Sequence, residues 1–287
     1  MNIEFLDIPV LQHGEGPLWD FRNQKFYCVD LLKGLWLEYD DVNQYTRKIH
    51  LNQPVGVGAI REQFGFLFAL RDGYGKKDHF EDKLELLEIK NNAIDHVRFN
   101  DGTVDCLGRF FAGTMAFDGS KPVGKLYRFN SDYSIDQLDS GFLIPNGMGF
   151  DKSNEHFFMI DTGQHIMFRY DFDLECGNIS NRNEFIRFDS SEHPDGMTID
   201  ADGNFWIAMW GGSVIKVFDS SGEFINELKL PVEYPTSCCF GGKHLTDLYI
   251  TSSKLVYSDE DISHHPNAGR TMRIPSIGQG VPEKLSF

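Results

Sequence analysis

Four oxygen-bearing side chains stand at matching points of a recurring pattern: Glu15, Asn100, Asn146 and Asp195. Two carboxylates and two amides are the donor types that a hard divalent cation takes. Brought together, they would leave positions open for water and substrate. Asn-Gly, Asp-Gly and Asn-Asp-Gly are also ordinary turn chemistry, so three of the four have a second reading as turn formers. Glu15, in Gly14-Glu15-Gly16-Pro17, is a poor turn former. Other candidates offer less. His264 and His265, side by side in an extended strand, would point to opposite faces. Ser252-Ser253-Lys254 has no base at a useful spacing, and Gly56-Val57-Gly58 lacks the helix that a phosphate-binding loop requires.

Residues this far apart need a repeating fold to meet. Six segments share one plan: an apolar run, a polar turn, then a second apolar or aromatic run. They begin at Glu15, Gly56, Asn100, Asn146, Asp195 and Thr236, at intervals of 41 to 49 residues. That period, with strand-turn-strand units, predicts an all-β chain folded as a six-bladed β-propeller with four antiparallel strands per blade. Third strands are expected at Gly34–Tyr39, Lys125–Asn130, His165–Asp171 and Ser213–Asp219, and fourth strands at Tyr45–His50 and Glu223–Leu228. Phe80–Ile89 has helix-forming composition, but its place in the second repeat predicts strand. Ile3–Ile8 precedes the first repeat and is expected to pair with the last blade and close the ring, removing exposed edges. With no linker in view, residues 1–287 read as a single domain. The first strand of each blade would line a central channel. The six starting positions then form a ring, and the four donors converge at one mouth.

Composition bounds the partners. Lys and Arg number 27 against 43 Asp and Glu, a net charge of −16. Nucleic acid and anionic membranes need a basic footprint, so both are disfavoured. No apolar run reaches membrane-spanning length. Met1–Asp20 carries Glu4, Asp7 and Glu15 and does not read as a signal peptide. Five scattered cysteines, Cys28, Cys106, Cys176, Cys238 and Cys239, with no Cys-x-x-Cys spacing, read as reduced thiols of a cytoplasmic protein. The aromatic share of 14% tilts toward β structure.

At the ring residues the sequence resembles the SMP-30/gluconolactonase/LRE-like family, which includes regucalcin and bacterial sugar lactonases. The resemblance is carried by GEGPLWD (Gly14–Asp20), RFNDGTVDCLGRFFAGTM (Arg98–Met115), IPNGMGFD (Ile144–Asp151) and HPDGMTIDADGNFWIAMWGG (His193–Gly212). LYITSSK (Leu248–Lys254) adds to it more weakly. The order and spacing of these motifs cover the chain from near residue 13 onward. The resemblance implies a six-bladed propeller with one divalent metal, held by Glu15, Asn146 and Asp195, that hydrolyses a sugar lactone to the aldonic acid. It implies substrate contacts from Arg98 and Asn100, with Asp101 near the metal, bound through water or lining the pocket. One departure is visible: where some members carry acidic residues just after AGTM, this chain has Phe117 before Asp118. A close relative's substrate therefore does not transfer.

Hydrolysis of a lactone needs a polarised carbonyl and an activated water, and a divalent metal can supply both. Asp195 is the preferred general base, with Asp101 second. Arg98 offers a rigid fork of donors for sugar hydroxyls and the nascent carboxylate, or alternatively a salt bridge at the channel rim. Asn100 offers both a donor and an acceptor for vicinal hydroxyls. Oxygen-only ligands favour calcium, magnesium or manganese, though zinc can occupy such a site. The expected partner is a small-molecule sugar lactone, with no nucleic acid and no membrane, and the chain is expected to be a monomer or weak dimer. Two alternatives stay open: a metal hydrolase of phosphotriesters or other esters, and a calcium-binding propeller without catalysis.

Overall fold

The computed structural model describes residues 2–88, 96–258 and 260–287. They form six four-stranded antiparallel sheets. The innermost strands of the blades are Gly14–Asp20, Val55–Ile60, Val97–Val104, Pro145–Phe150, His193–Ile199 and Pro235–Gly241. Each packs against the innermost strands of both neighbours, and the sixth returns to the first, so the six enclose a channel. Among the described residues no helix is long and apolar enough to cross a membrane.

The third and fourth strands fall within a residue or two of their expected places: Leu35–Asp40, Gly124–Phe129, Ile166–Asp173 and Val214–Phe218, then Tyr45–His50 and Phe224–Lys229. The exception is in blade two. Its outer strand, Glu85–Glu88 among the described residues, starts five residues later than expected, because Asp82 and His79 bond to each other through backbone and side chain and close a turn ahead of it. Ile89 lies outside the described residues.

The ring closes as expected but with a shorter strand. Glu4–Phe5 pairs antiparallel with Met272–Ile274 and becomes the outer edge of the sixth blade. Arg273 fixes that join, forking onto Glu4 at 2.6 and 3.0 Å and reaching Asp41 of blade one at 3.1 Å.

Packing follows the same rotation. Each of the six apolar clusters is shared by two neighbouring blades. Trp19 of blade one stacks on Tyr249 of blade six at 5.0 Å, and Tyr74 of blade two on Phe129 of blade three at 4.8 Å. Flat rings suit these interfaces, since twisted sheets meet face to face and offset aromatic pairs add to area burial. Most of the aromatic residues of the chain are this inter-blade filling.

Every innermost strand also breaks register at the same height. The shifts lie between Glu15 and Leu18, Val55 and Val57, Phe99 and Gly102, Asn146 and Met148, Pro194 and Met197, and Pro235 and Ser237. A bulge re-aims side chains out of strict alternation. Six at one level turn the predicted ring residues toward the axis together. Asn146-Gly147 and Asp195-Gly196 are therefore mid-strand, not turns. Their glycines serve close approach: a Cβ on Gly147 would stand 2.8 Å from the Asp195 carbonyl oxygen, and one on Gly196 2.1 Å from Ser237 Oγ.

Candidate metal centre and its polar relay

Glu15, Asn100, Asn146 and Asp195 all sit on the innermost strands, beside the bulges, with Arg98 and Asp101 flanking Asn100. All six side chains are buried, at 3–7% exposure. Buried amides and charges need partners, and here the partners form one chain of hydrogen bonds. Arg98 Nη1 donates to Asn100 Oδ1 at 2.6 Å and to the Phe99 carbonyl at 3.1 Å. Asn100 Nδ2 donates to the Pro145 carbonyl at 2.9 Å and to Asn146 Oδ1 at 3.0 Å. Asn146 Nδ2 donates to Thr162 Oγ1 at 2.8 Å, whose own proton goes to the Pro194 carbonyl at 2.6 Å.

This relay determines the amide orientations chemically. Thr162 spends its proton on a carbonyl, so its oxygen must accept, and the group facing it must be the Asn146 NH2. The Asn146 oxygen is then the atom that meets Asn100 Nδ2. Asn100 is set from both ends, by an acceptor carbonyl on one side and a guanidinium on the other. The relay crosses from blade three through blade four to blade five.

The charges are unbalanced. Burial, then the neighbouring charges of Asp195 and Asp101, pushes the Glu15 carboxyl well above its usual range. Burial and then Asp101 do the same to Asp195. Burial raises Asp101 to about 6. The one nearby guanidinium, Arg98, is itself pushed down to about 10 by burial. Three carboxylates against one cation, each repelling the others in a dry site, call for a further positive charge. A divalent cation answers that, and the donor types fit one: the carboxylates of Glu15 and Asp195 and the Asn146 amide oxygen. Among the described residues no three His, Cys, Asp or Glu side chains form an ion-binding group by themselves. The amide oxygen would thus complete the set.

A family model described as the SMP-30/gluconolactonase/LRE-like region matches residues 13–254. The chain belongs to this family. It is 33% identical over 281 residues to regucalcin of Gallus gallus, covering 94% of this chain and 93% of that one. It is 33% identical over 258 residues to a Bacillus subtilis (strain 168) protein, covering 89% of this chain and 88% of that one; the name of that protein assigns it only provisionally to the sugar lactone lactonases. A solved luciferin-regenerating enzyme superposes with a TM-score of 0.92 at 26% identity, covering 99% of both chains.

Within this SMP-30-like propeller the departure at Phe117 has a structural consequence. The Phe117 ring lies 6.0 Å from the Arg98 guanidinium carbon and is 39% exposed, so an aromatic face, not a carboxylate, stands at the rim over the arginine. Arg98 Nε is buried without a partner, and no rim salt bridge to Arg98 is formed among the described residues.

Two neighbours of the ring were missed by sequence reasoning. Thr162 follows the second strand of blade four, outside every motif, and only the relay reveals it. His13 lies just before the GEGP motif, with its Nδ1 2.9 Å from Ser253 Oγ and its Nε2 4.0 Å from Glu15 Oε1. Burial, then Arg98, lowers His13 to about 3, so the ring is neutral and the contact with Glu15 is no ion pair. Ser253 thus meets an imidazole 240 residues away, a partner that local spacing did not suggest. His264 ends a short 3-10 helix, and His265 stacks on Tyr257 at 4.0 Å, so the pair is not in a strand as expected, and neither histidine joins the ring.

A cavity of about 200 Å3 lies farther along the channel, toward the C-terminal ends of the innermost strands. Asp101, Ser237, Cys239 and Met148 line it, and Glu283 and Lys284 of the C-terminal segment cap it. That segment crosses the channel floor and is pinned by Ser286 to Ile60 and by Phe287 against Phe129. Asp101 belongs to both the ring and this cavity.

Proposed function

We propose that this protein is a divalent-cation-dependent hydrolase that opens the ring of a sugar lactone to the aldonic acid. The observation that carries this reading is the convergence of Glu15, Asp195 and the oriented Asn146 oxygen with the relay from Arg98. Membership of a family described by gluconolactonase, and likeness to a relative named as a lactonase, support the substrate class.

Glu15, Asn146 and Asp195 would hold the cation, and oxygen donors favour calcium, then magnesium or manganese, with zinc possible. When bound, the cation supplies Lewis acidity toward a carbonyl and a more acidic water. Asp195 takes the proton from the attacking water. Among the described residues its carboxylate takes a hydrogen bond from the Gly196 backbone N–H alone, so it has capacity to spare, and burial, then the charge on Asp101, keeps it basic. Arg98 receives the carboxylate that forms. Asn100 orients both Arg98 and Asn146, so its part is in positioning as much as in direct substrate contact.

A pH-stat assay over gluconolactone, galactonolactone and arabinonolactone, after chelation and addition of each metal in turn, tests this. Metal-dependent acid release above the spontaneous rate is expected on at least one, and is lost with Asp195→Ala. No such release on any lactone overturns the reading. Activity on phosphotriesters or aryl esters far above every lactone would move the protein to that class. Tight metal binding with no hydrolysis would leave a non-catalytic propeller.

A further inference from the structure

We propose that Trp210 binds the substrate, packing its indole against the C–H face of the lactone ring. This rests on the lactonase reading and adds to it the wall across the channel from Arg98.

Blade six is a gap in the ring of oxygen donors. Its starting position holds Thr236, which is fully buried and gives its hydroxyl to the Gly14 carbonyl and to Thr251 Oγ1. With six blades in chain order around the axis, blade six stands opposite blade three, which carries Arg98 and Asn100. Aromatic rings gather at that end of blade six instead. Trp210 closes the second strand of blade five, paired with His193, two residues before Asp195. Its indole meets the His13 ring at 5.5 Å and 77°. It meets Tyr234, just ahead of the innermost strand of blade six, at 4.9 Å and 60°. His13 Nε2 in turn lies 4.0 Å from Glu15 Oε1. Trp210 is thus one ring away from a candidate metal ligand.

Trp210 also differs from the other three tryptophans. Trp19, Trp36 and Trp206 are buried, at 7% exposure or less, within the apolar clusters between blades. Trp206 donates its indole N–H to Asp200, and those of Trp19 and Trp36 are sealed in the core. Trp210 is half-buried and belongs to none of the six clusters. Its N–H is not sealed in and has no acceptor among the described residues. A large flat side chain, held between two neighbouring rings yet partly open, with an N–H to spare, suits a ligand with apolar faces and polar edges. A six-membered sugar lactone has that form. Its hydroxyls radiate from the edge, and its C–H bonds point to the faces. Arg98 would take the polar edge from one side of the channel and Trp210 the face from the other.

Calcium-loaded protein would be titrated with methyl glucopyranoside, a closed sugar ring without an ester carbonyl, while tryptophan emission is followed. A saturable change is expected in the wild type and is lost in Trp210→Phe, whose other three tryptophans still emit. On gluconolactone, Trp210→Ala is expected to raise KM about tenfold with kcat within about threefold, an aromatic contact's worth. Trp210→Phe should stay within about threefold in KM, since a smaller ring still stacks. Calcium affinity by calorimetry should stay within about twofold in both variants. A saturable change that persists in Trp210→Phe, or none in the wild type, overturns the proposal. An unchanged KM in Trp210→Ala or a loss confined to kcat overturns it too. So does a loss of about tenfold in calcium affinity, which would make Trp210 a support of the metal centre. Should Trp210→Ala not fold, the emission titration of wild type and Trp210→Phe carries the test. Failure of the wild type on every lactone is a separate outcome: it overturns the lactonase reading, while the titration still decides the sugar contact.

Discussion

Asn100 Nδ2 donates to Asn146 Oδ1 at 3.0 Å, joining the innermost strands of blades three and four directly above the channel. One amide orients the other, and Arg98 and Thr162 complete the line at its two ends. The candidate ligand Asn146 is therefore coupled to groups on blades three and five, and the consequences can be measured.

Thr162→Val removes the oxygen that accepts from Asn146 while keeping the side-chain shape. Asn146 then loses the partner that fixes the orientation of its amide. Calcium affinity, read by calorimetry, is expected to fall about tenfold or more, the usual effect of removing an orienting partner of a metal ligand. The thermal midpoint without metal should move little, since Thr162 is outside the apolar clusters.

Asp195→Asn and Asp101→Asn separate the two acids. Loss of a general base is expected to lower kcat by about 10² to 10⁴, and Asp195→Asn should show it. Burial, and then the charge of Asp101, raises Asp195. Asp101→Asn should therefore shift the acid limb of the kcat profile to lower pH, because Asp195 then ionises more easily.

Asp101 also gives a stability test in chelator. Its folded value, about 6, lies above its ordinary value of 3.8. A raised carboxylate favours the folded state when protonated, so the penalty for keeping it is absent below pH 3.8 and grows as pH rises through about 6. The difference in stability between Asp101→Asn and wild type should thus increase in the variant's favour across that window, by up to roughly 3 kcal/mol. Thermal melts at pH 4 and pH 7 would read it. Added calcium should shrink the difference at pH 7, since a cation favours the ionised ring.

Arg98→Lys keeps the charge and loses the fork. A lysine cannot reproduce the planar donor set that bonds Asn100 while presenting further N–H groups to a carboxylate. KM for the best lactone is expected to rise about tenfold, with a smaller change in kcat. Steady-state kinetics on that substrate would show the split.

Arg273→Ala tests the closure of the ring. Arg273 ties Glu4 of the closing strand and Asp41 of blade one to blade six, and is 24% exposed at its side chain. Losing a network of this kind is expected to lower the melting temperature by a few degrees, and limited proteolysis should cut first near the N-terminus.

Much of this was legible in the chain alone. Six segments at intervals of 41 to 49 residues implied six blades, and one repeat phase held Glu15, Asn100, Asn146 and Asp195. Repetition makes that possible, because equivalent positions in successive blades must lie at equal radius and height. What one sequence could not separate was a ring residue from a turn former, since Asn-Gly and Asp-Gly serve both. The shared bulge decided it, and a bulge is a property of strand pairing.

The rest depended on contacts between distant parts of the chain. Thr162 meets Asn146 across a blade, His13 meets Ser253 from the far end of the sequence, and Phe117 covers Arg98 from the next strand's end. None of these pairs has a period or a motif, because two are set by how strands pair within a blade and the third by how blades one and six meet. The sequence by itself determined the number of blades and the repeat phase that the oxygen donors share. Only the tertiary structure decided which way each amide faces and how the ends of the chain close the ring. Side-chain orientation follows from the partners that surround a group, and those partners come together only in the folded chain.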